Sequence, residues 1–250
     1  MISVVIPVYN EAGCLRAHVD ALRPLLAELA GGDWEIVLVD DGSRDGTAQQ
    51  IAALVAAEPR VRGCTHAVNR GKGAAVRTGV LATRGDAVLF CDADMSTPPE
   101  TLREFLAALG AGADVVIGNR KSGAARIERW QPALRTWLGL GFTRLSNLMT
   151  GMSVSDYTCG FKLFRGDPGR ALFAETATDG WVFDVEVLAR AARRGLAIRE
   201  LPVRWKHVDD TRVRVLRDVI RSFVELLALR RRLGRDGRRE PDGASGPRDR

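Results

Sequence analysis

The sequence predicts an α/β protein built on a mainly parallel sheet with helices on both faces. Its first half alternates short apolar runs of strand length with longer segments of helical spacing, which is typical of strand–helix–strand units. Polar clusters follow several of the strands, and such sheets bind their ligands at the carboxyl ends of the strands. A length of 250 residues with 46% hydrophobic content fits one large domain with small appendages.

The elements of the first half follow from apolar periodicity and turn residues. The predicted strands are Ile2–Pro7, Trp34–Val39, a short strand near Val61, Ala87–Phe90 and Asp114–Ile117. The predicted helices are Leu15–Leu29, Thr47–Ala57, Ala74–Thr83 and a helix that opens at Pro98 and runs to Leu109. The order of these elements predicts the alternating topology stated above.

The second half is less regular. Ile127–Met152 is rich in Trp and Leu and predicts a helical or irregular segment. The later predicted elements are the strands Thr158–Phe164 and Ala197–Val203, a helix opened by Gly180 that ends near Arg194, and an amphipathic helix over Val213–Leu229. We therefore expect a domain over residues 1–211, an amphipathic helix within 212–234 and a tail over 235–250. Arg, Asp, Gly and Pro dominate that tail and predict disorder.

The positive charge lies at the C-terminal end. Residues 204–250 contain 14 Lys and Arg against 8 Asp and Glu, and this excess equals the net charge of +6 of the whole chain. A nucleic-acid enzyme usually carries basic residues across its working face. The charge distribution therefore argues against a nucleic-acid partner.

The cysteines and the hydropathy pattern favour a cytoplasmic location. Four cysteines are scattered without Cys-x-x-Cys spacing, which indicates reduced thiols and not a disulfide frame or a zinc site. The sequence starts directly on the first predicted strand, so we expect no signal peptide. No stretch reaches the roughly 18 apolar residues that would cross a bilayer.

Asp92 and Asp94 are the most informative residues of the chain. They end an apolar run and are separated by one residue, so at the frayed end of a strand both can turn toward one ligand. Two carboxylates at this spacing suit a divalent cation such as Mg²⁺ or Mn²⁺ that also contacts phosphate oxygens. Asp-x-Asp alone is a weak signal, and its position among other phosphate-directed features makes it strong.

A nucleoside pocket is indicated at the ends of the first two strands. Tyr9 offers a stacking ring and Glu11 an acceptor after the first strand, while Asp40 and Asp41 follow the second. The two aspartates could accept hydrogen bonds from a base or ribose, or could simply form a capping turn with Gly42 and Ser43. The Gly-x-Gly-x-x-Gly pattern of dinucleotide enzymes is absent after the first strand.

Three further features could contact phosphates or an acceptor. The glycines around Lys72 would let the backbone approach a pyrophosphate, or would form an ordinary turn with solvated basic residues. Arg120 just past a strand could be a bidentate phosphate ligand or a surface ion-pair residue. Asp184 and Glu186 open a helix, where carboxylates are favourable without any function, but the neighbouring aromatic residues raise the functional odds.

Taken in order, the motifs resemble those of the inverting family 2 glycosyltransferases. The motifs are Val5-Ile6-Pro7-Val8-Tyr9-Asn10-Glu11, Val39-Asp40-Asp41-Gly42-Ser43, Asn69-Arg70-Gly71-Lys72-Gly73, Asp92-Ala93-Asp94, Ile117-Gly118-Asn119-Arg120, Thr158-Cys159-Gly160-Phe161-Lys162 and Trp181-Val182-Phe183-Asp184-Val185-Glu186. The later ones resemble the polyisoprenyl-phosphate sugar synthases, with the dolichyl-phosphate β-glucosyltransferases closest and the mannose synthases next. The resemblance covers roughly residues 2–215.

The resemblance implies a GT-A-like fold, a nucleotide-sugar donor and the following roles. The residues implied to bind the nucleotide sugar are Pro7, Tyr9, Glu11, Asp40, Asp41, Lys72, Asp92, Ala93 and Asp94. Asp92 and Asp94 would also hold Mg²⁺ or Mn²⁺, while Arg120 and Arg212 would meet phosphates. Asp92, Asp94, Arg120 and Asp184 form the implied catalytic set, and residues 1–211 would be the catalytic domain.

The implied reaction is transfer of a hexose, with glucose favoured, from UDP-glucose to polyprenyl phosphate with inversion. Mannose synthases usually place Gln two residues after the second Asp, whereas this chain has Ser96, which weakens a second reading, mannosyl transfer from GDP-mannose. The same residues would also suit a soluble family 2 enzyme with a non-lipid acceptor, or a nucleotide-sugar binding module without turnover.

The last predicted helix bears on the acceptor. Val213, Leu216, Ile220, Phe223 and Leu227 would line one face, with arginines beside them. The helix could pack this face on the core, or could lie on an anionic membrane surface with Trp130, Trp137 and Phe142 as further apolar anchors. A helix on the membrane surface would make this a peripheral protein on the cytoplasmic face of a membrane.

Overall fold

A computed structural model describes residues 1–129, 133–207 and 215–236. The strands are β1 Ile2–Val8, β2 Trp34–Asp40, β3 Val61–Thr65, β4 Ala87–Cys91, β5 Val115–Asn119, β6 Arg126–Arg129, β7 Phe161–Arg165, β8 Ile198–Pro202 and β9 Arg204–Lys206. The helices are α1 Leu15–Ala30, α2 Thr47–Ala57, α3 Lys72–Ala82, α4 Leu102–Gly110, α5 Ala133–Thr150, α6 Gly166–Glu175, α7 Phe183–Arg193 and α8 Val215–Asp236, with a single 3₁₀ turn at Pro99–Thr101 before α4.

Seven strands form the central sheet in the order β3-β2-β1-β4-β7-β5-β8. All neighbouring pairs are parallel except those of β7, which runs antiparallel to both β4 and β5. The carboxyl ends of the other six strands therefore meet at one edge of the sheet, together with the amino end of β7. The predicted mainly parallel sheet is confirmed.

Helices cover both faces of this sheet, as predicted. Alternate residues of a strand point to opposite faces, and the central strands accordingly contribute to two separate cores. Val4 and Ile6 of β1 pack in one core with residues of α1, α2 and α4. Val5 of the same strand packs in the other core, called the second core below, with residues of α3, α6, α7 and α8. Burial on both faces explains why these strands are mostly apolar and show no regular alternation of apolar and polar residues.

The structure differs from the predicted elements at several places in the second half. Residues 127–129 were expected to be helical or irregular, but they belong to β6, which pairs with β9 in a second, two-stranded sheet. Helix α6 was not predicted. Strand β7 starts at Phe161, three residues later than expected, because the carboxylate of Asp156 accepts the backbone N–H of Thr158 at 3.2 Å and holds a turn there.

Helix α8 both packs on the core and exposes apolar side chains. Leu226, Leu229 and Leu233 are buried in the second core, whereas Phe223 and Leu227 are exposed. The helix continues through Asp236, two residues into the predicted tail. The helix therefore packs on the core through residues other than the predicted apolar face, and Phe223 and Leu227 of that predicted face are exposed. Residues 208–214 and 237–250 lie outside the described residues.

The three aromatic residues before α8 that were expected to be exposed apolar anchors differ in the structure. Trp137 on α5 is exposed, as expected. Phe142 is not, because it is partly buried and packs against the second core. Trp130 lies outside the described residues. Among the helices of the described ranges, none has the length and apolar character that a bilayer crossing requires.

Candidate active site

Asp92 lies at the carboxyl end of β4 and is held by the turn before β7. Its backbone N–H donates to the carbonyl oxygen of Gly160 at 3.0 Å. Its carboxylate occupies the space that a side chain at position 160 would fill, since a Cβ there would lie 1.8 Å from Oδ2 of Asp92. Gly160 is therefore required for this placement of the carboxylate.

Lys72 contacts the same carboxylate from the other side. Its Nζ lies 2.6 Å from Oδ1 of Asp92, 5.1 Å from the ring centre of Phe90 and 5.3 Å from that of Trp181. Burial alone would lower the pKa of Lys72, but the negative charges of Asp92 and Asp184 outweigh burial and raise it. Lys72 is therefore a permanent positive charge next to the Asp-x-Asp pair.

Asp94 follows two residues later in the same loop. Its Oδ1 accepts the backbone N–H of Ser96 at 2.9 Å. Met95, between them, has a positive φ of 47°, a conformation that non-glycine residues seldom adopt. This tight turn keeps the second carboxylate at the same edge of the sheet as Asp92.

Asp41 organises the loop that carries Lys72. Its carboxylate accepts the backbone N–H groups of Arg70 at 3.0 Å and Gly71 at 2.8 Å, and Nδ1 of His66 lies 2.7 Å from its Oδ1. Gly71 has a φ of +111°, and a Cβ there would lie 2.5 Å from the carbonyl oxygen of Asp179. A side chain would therefore separate this loop from the segment that precedes α7.

Asp40 and the first loop form the adjoining part of the edge. The carboxylate of Asp40 accepts the backbone N–H of Ser43 at 2.8 Å, so this aspartate forms a local turn with Gly42 and Ser43 but does not cap α2, whose N-cap is Gly46. The hydroxyl of Ser43 in turn accepts the N–H of Asn10 at 2.8 Å, and the hydroxyl of Thr47 accepts the N–H of Glu11 at 2.9 Å. These bonds join the loop after β1, which also carries Tyr9, to the loop after β2.

Arg120 lies just past the end of β5 and is clamped by Asp156. Its Nε and Nη2 donate to the two carboxylate oxygens of Asp156 at 2.7 and 2.8 Å, and Nη2 also donates to the hydroxyl of Thr158 at 2.8 Å. Burial would lower the pKa of Arg120, but the charge of Asp156 outweighs burial and raises it. Burial would likewise raise the pKa of Asp156, yet Arg120 lowers it to about 2.

Asp184 is buried beneath the site and paired with Lys162. Nζ of Lys162 lies 2.5 Å from Oδ1 of Asp184, and the two residues are 1% and 3% exposed. Burial raises the pKa of Asp184, although the charges of Lys162 and Lys72 oppose the shift. The carboxylate of Asp184 is therefore buried, and a lysine of the protein itself serves as its ion-pair partner.

The structure brings the predicted residues to one edge of the sheet. Pro7 and Tyr9 lie at the end of β1, Asp40 and Asp41 at the end of β2, and Asp92, Ala93 and Asp94 at the end of β4. Lys72, which follows the loop held by Asp41, contacts Asp92 and so connects the residues after β2 with those after β4. Arg212 lies outside the described residues, so its role stays a prediction.

Sequence reasoning missed four residues that shape this edge. They are His66, Asp156, Gly160 and Lys162. Gly160 and Lys162 lie inside the motif Thr158–Lys162, and Asp156 lies two residues before it, so the motif marked their neighbourhood but not their roles. His66 is an isolated histidine after β3, and nothing in its local sequence indicates its contact with Asp41.

The donor set at the end of β4 fits a divalent cation. Asp92 and Asp94 supply hard carboxylate oxygens of the kind that Mg²⁺ and Mn²⁺ prefer, and the Asp92 side chain is 32% exposed. Within residues 1–129, 133–207 and 215–236, no group of three or more His, Cys, Asp and Glu side chains is placed to hold a metal ion. A cation here would thus share two protein carboxylates with oxygen atoms of a bound ligand and water.

Comparison with known proteins places the chain in a family. The model described as Glycosyl transferase family 2 matches residues 3–173. The chain belongs to this family. The sequence-based resemblance, which rested on motifs spread over both halves, is confirmed.

Several family members are similar over most of the chain. The dolichyl-phosphate beta-glucosyltransferase of Saccharomyces cerevisiae is 34% identical over 248 residues, which cover 92% of this chain and 74% of that protein. A dolichyl-phosphate beta-glucosyltransferase of Trichomonas vaginalis is 32% identical, with coverages of 90% and 69%. The human dolichyl-phosphate beta-glucosyltransferase is 30% identical, with coverages of 92% and 75%.

A solved structure confirms the fold of this family member. Glucosyl-3-phosphoglycerate synthase from Mycobacterium tuberculosis, in complex with Mn²⁺ and uridine-diphosphate-glucose, superposes with a TM-score of 0.67 at 22% identity. The match covers 92% of this chain and 78% of that one. At this identity the likeness extends to the fold, and it confirms the glycosyltransferase architecture predicted from the motifs.

Proposed function

We propose that this chain transfers glucose from UDP-glucose to a polyprenyl phosphate of the dolichyl type, with inversion at the anomeric carbon. The observation that carries the proposal is the 30–34% identity to dolichyl-phosphate beta-glucosyltransferases across about nine tenths of the chain. The arrangement of charges at the carboxyl edge of the sheet supports it, because anionic groups on both donor and acceptor need cations on the protein.

The donor diphosphate would lie over Asp92, Asp94 and the loop before α3. Lys72 offers a permanent positive charge there, and Gly71 and Gly73 let this loop pack closely on the segment before α7, since a Cβ at either position would lie 2.5 Å from a carbonyl oxygen of that segment. The nucleoside would lie toward Pro7, Tyr9, Glu11 and the Asp40–Asp41 pair. Asp41 would contribute mainly by holding the loop, since its carboxylate already accepts two backbone N–H groups.

A divalent cation, Mg²⁺ or Mn²⁺, would be held by Asp92 and Asp94. When bound, it would neutralise negative charge on the diphosphate as the bond to the sugar breaks. Lys72 would add a positive charge on the same side. Because this charge is in position before the reaction begins, it would stabilise the leaving nucleoside diphosphate.

The acceptor phosphate would be oriented by Arg120. The carboxylate of Asp156 accepts hydrogen bonds from Nε and Nη2 of the guanidinium, so the orientation of the guanidinium is fixed before an acceptor arrives. Such preorganisation lowers the entropic cost of placing the nucleophile. Arg212 is proposed as a second cation for the same phosphate.

The chemical step would need no general base. A phosphate monoester is already an anion at neutral pH, so its oxygen can attack the anomeric carbon without losing a proton to the protein. Asp184 is buried and paired with Lys162, which suits a residue that organises the site and does not accept a proton. With a hydroxyl acceptor, a base would be required, and Asp184 would then be the candidate.

We further propose that the protein works at the cytoplasmic face of a membrane. Five large apolar side chains are exposed on α5 and α8: Trp137, Leu148, Phe223, Val224 and Leu227. Arg230 and Arg231 are exposed further along α8. Apolar side chains flanked by basic ones favour adsorption to anionic lipid, with about 1 kcal/mol from each basic residue near the surface.

The transfer reaction is tested directly with labelled donors. The protein is incubated with UDP-[¹⁴C]glucose or GDP-[¹⁴C]mannose and polyprenyl phosphate, with Mn²⁺, Mg²⁺ or EDTA, and the organic phase is counted. We expect label only from UDP-glucose and only with a divalent cation. Label from GDP-mannose would replace glucose by mannose in the proposal, and the absence of lipid label from a protein that binds UDP would favour a soluble acceptor.

Two variants distinguish a membrane-bound enzyme from a binding module and from a soluble enzyme. Asp94→Ala should abolish transfer while the protein remains folded, whereas a binding module without turnover would show no transfer in either form. The double variant Phe223→Ser with Leu227→Ser should float less with anionic liposomes than the wild type. Val55→Ser on α2, which removes an apolar side chain of comparable exposure elsewhere, is the control and should float like the wild type.

A further inference from the structure

The buried pair of Lys162 and Asp184 lies beneath the site and is almost fully removed from solvent. Nζ of Lys162 is 2.5 Å from Oδ1 of Asp184 and donates a second hydrogen bond of 2.8 Å to the carbonyl oxygen of Cys159. Nζ also lies 5.5 Å from the ring centre of Phe90. Two ions of the same protein are thus removed from water, and such pairs stabilise a fold no better than apolar residues of similar volume. A role other than stability is therefore worth testing.

The second hydrogen bond of Lys162 connects this lysine to Asp92 through the peptide between Cys159 and Gly160. Cys159 precedes Gly160, whose carbonyl oxygen accepts the N–H of Asp92 at 3.0 Å. The α-carbon of Gly160 is also the surface against which the Asp92 carboxylate lies. Any shift of the 159–160 peptide would therefore move the carboxylate.

We infer that Lys162 is a positioning residue for the Asp92 carboxylate, with Asp184 as its counter-ion. Lys162 joins Asp184 on α7 to the turn before β7, and that turn sets where Asp92 stands. The inference rests on the proposed function to the extent that Asp92 is taken to bind the nucleotide diphosphate and its cation. Lys72 of α3 contacts Oδ1 of the same carboxylate at 2.6 Å, so α3 and the turn before β7 both contact Asp92.

The position of Lys162 suits this role because its two contacts come from different elements. Asp184 belongs to the first turn of α7, and Cys159 belongs to the turn that precedes β7. An apolar residue at position 162 could fill the volume, but it could not donate to the carbonyl oxygen of Cys159. Stability and positioning can therefore be separated by mutation.

The test compares two variants with the wild type by calorimetric titration of UDP in the presence of Mn²⁺, together with thermal unfolding. Lys162→Met leaves Asp184 buried without a partner and should lower the melting temperature. The double variant Lys162→Met with Asp184→Leu removes both charges and should recover most of the stability.

We expect the affinity for UDP with Mn²⁺ to fall about 10- to 100-fold in Lys162→Met and in the double variant, the size seen when residues behind metal ligands are removed. If Lys162→Met does not fold, the double variant carries the comparison. Recovery of affinity together with stability in the double variant would overturn the inference.

A control pair lies at the opposite edge of the sheet. Arg62 contacts the buried carboxylate of Glu35 at 2.8 Å, so Arg62→Met should lower stability and leave UDP affinity unchanged. The binding measurement uses no acceptor. A wild-type protein that binds UDP with Mn²⁺ but transfers no glucose would contradict the proposed function and leave the role of Lys162 to be judged by the variants.

Discussion

The replacement of Gly160 by alanine is the sharpest single test of how the site is built. A Cβ at this position would lie 1.8 Å from Oδ2 of Asp92, 2.2 Å from its Cγ and 2.7 Å from its Oδ1. The carboxylate would have to retreat by roughly 1.7 Å to reach an ordinary van der Waals separation of about 3.5 Å. The backbone at Gly160 is not in the left-handed region, so alanine adds a steric conflict without conformational strain.

The expected effect follows from that displacement. A misplacement of about 1 Å in a catalytic constellation can cost about 100-fold in rate, which corresponds to about 2.7 kcal/mol of transition-state stabilisation. Overpacking of this kind also costs roughly 1–3 kcal/mol of stability. We therefore expect Gly160→Ala to remain folded and to lose about two orders of magnitude in kcat/KM, with weaker binding of UDP in the presence of Mn²⁺.

The measurement combines glucose transfer, UDP titration and thermal unfolding. Gly139→Ala is the matched control, because a Cβ at that position in α5 meets nothing within 4 Å. It should keep full activity and gain up to about 1 kcal/mol of stability from improved helix propensity. Wild-type kcat/KM and UDP affinity in Gly160→Ala would refute the assignment of Asp92 to the donor site and the steric argument with it.

Three further outcomes are expected. Asp156→Asn should raise the KM for polyprenyl phosphate about 10-fold or more while leaving UDP affinity unchanged, because it loosens Arg120 and not the donor loop; an unchanged acceptor KM would contradict the role of Arg120. The pKa of Asp156 is lowered from 3.8 to about 2, so its contribution of about 2 kcal/mol is present above pH 4 and is lost as the pH falls from 4 to 2. Urea unfolding at pH 5 and pH 3 should show about half of this loss in the wild type, or about 1 kcal/mol, and less of it in Asp156→Asn. Removal of divalent cations with EDTA should abolish transfer, Mn²⁺ should restore it, and activity that persists in EDTA would contradict the role given to Asp94.

Much of the fold could be predicted because burial leaves a periodic record in the sequence. The strands β1, β2 and β4 are buried on both faces, so they appear as mostly apolar runs, and the helices between them show apolar spacing on one side. The antiparallel direction of β7 could not be predicted in this way, because strand direction leaves no trace in composition. The short strand β6 escaped prediction since its residues are mostly exposed.

The residues of the candidate site could likewise be predicted only in part. Asp92, Asp94, Lys72 and Arg120 could be predicted because each follows a strand that ends at the ligand-binding edge. Their partners were harder to find. Asp156 lies 36 residues beyond Arg120 and clamps it, and no local pattern indicates which distant carboxylate a given arginine will meet.

The sequence by itself determined the α/β class, the family through its ordered motifs, and the charged residues available for chemistry. Only the tertiary structure decided how those charges are shared: Lys72 with Asp92, Arg120 with Asp156, and Lys162 with Asp184. The physical reason is that local periodicity reports burial along one element. Ion pairs in this fold instead join residues brought together by strand order, and the energy of each pair depends on a separation that exists only after folding.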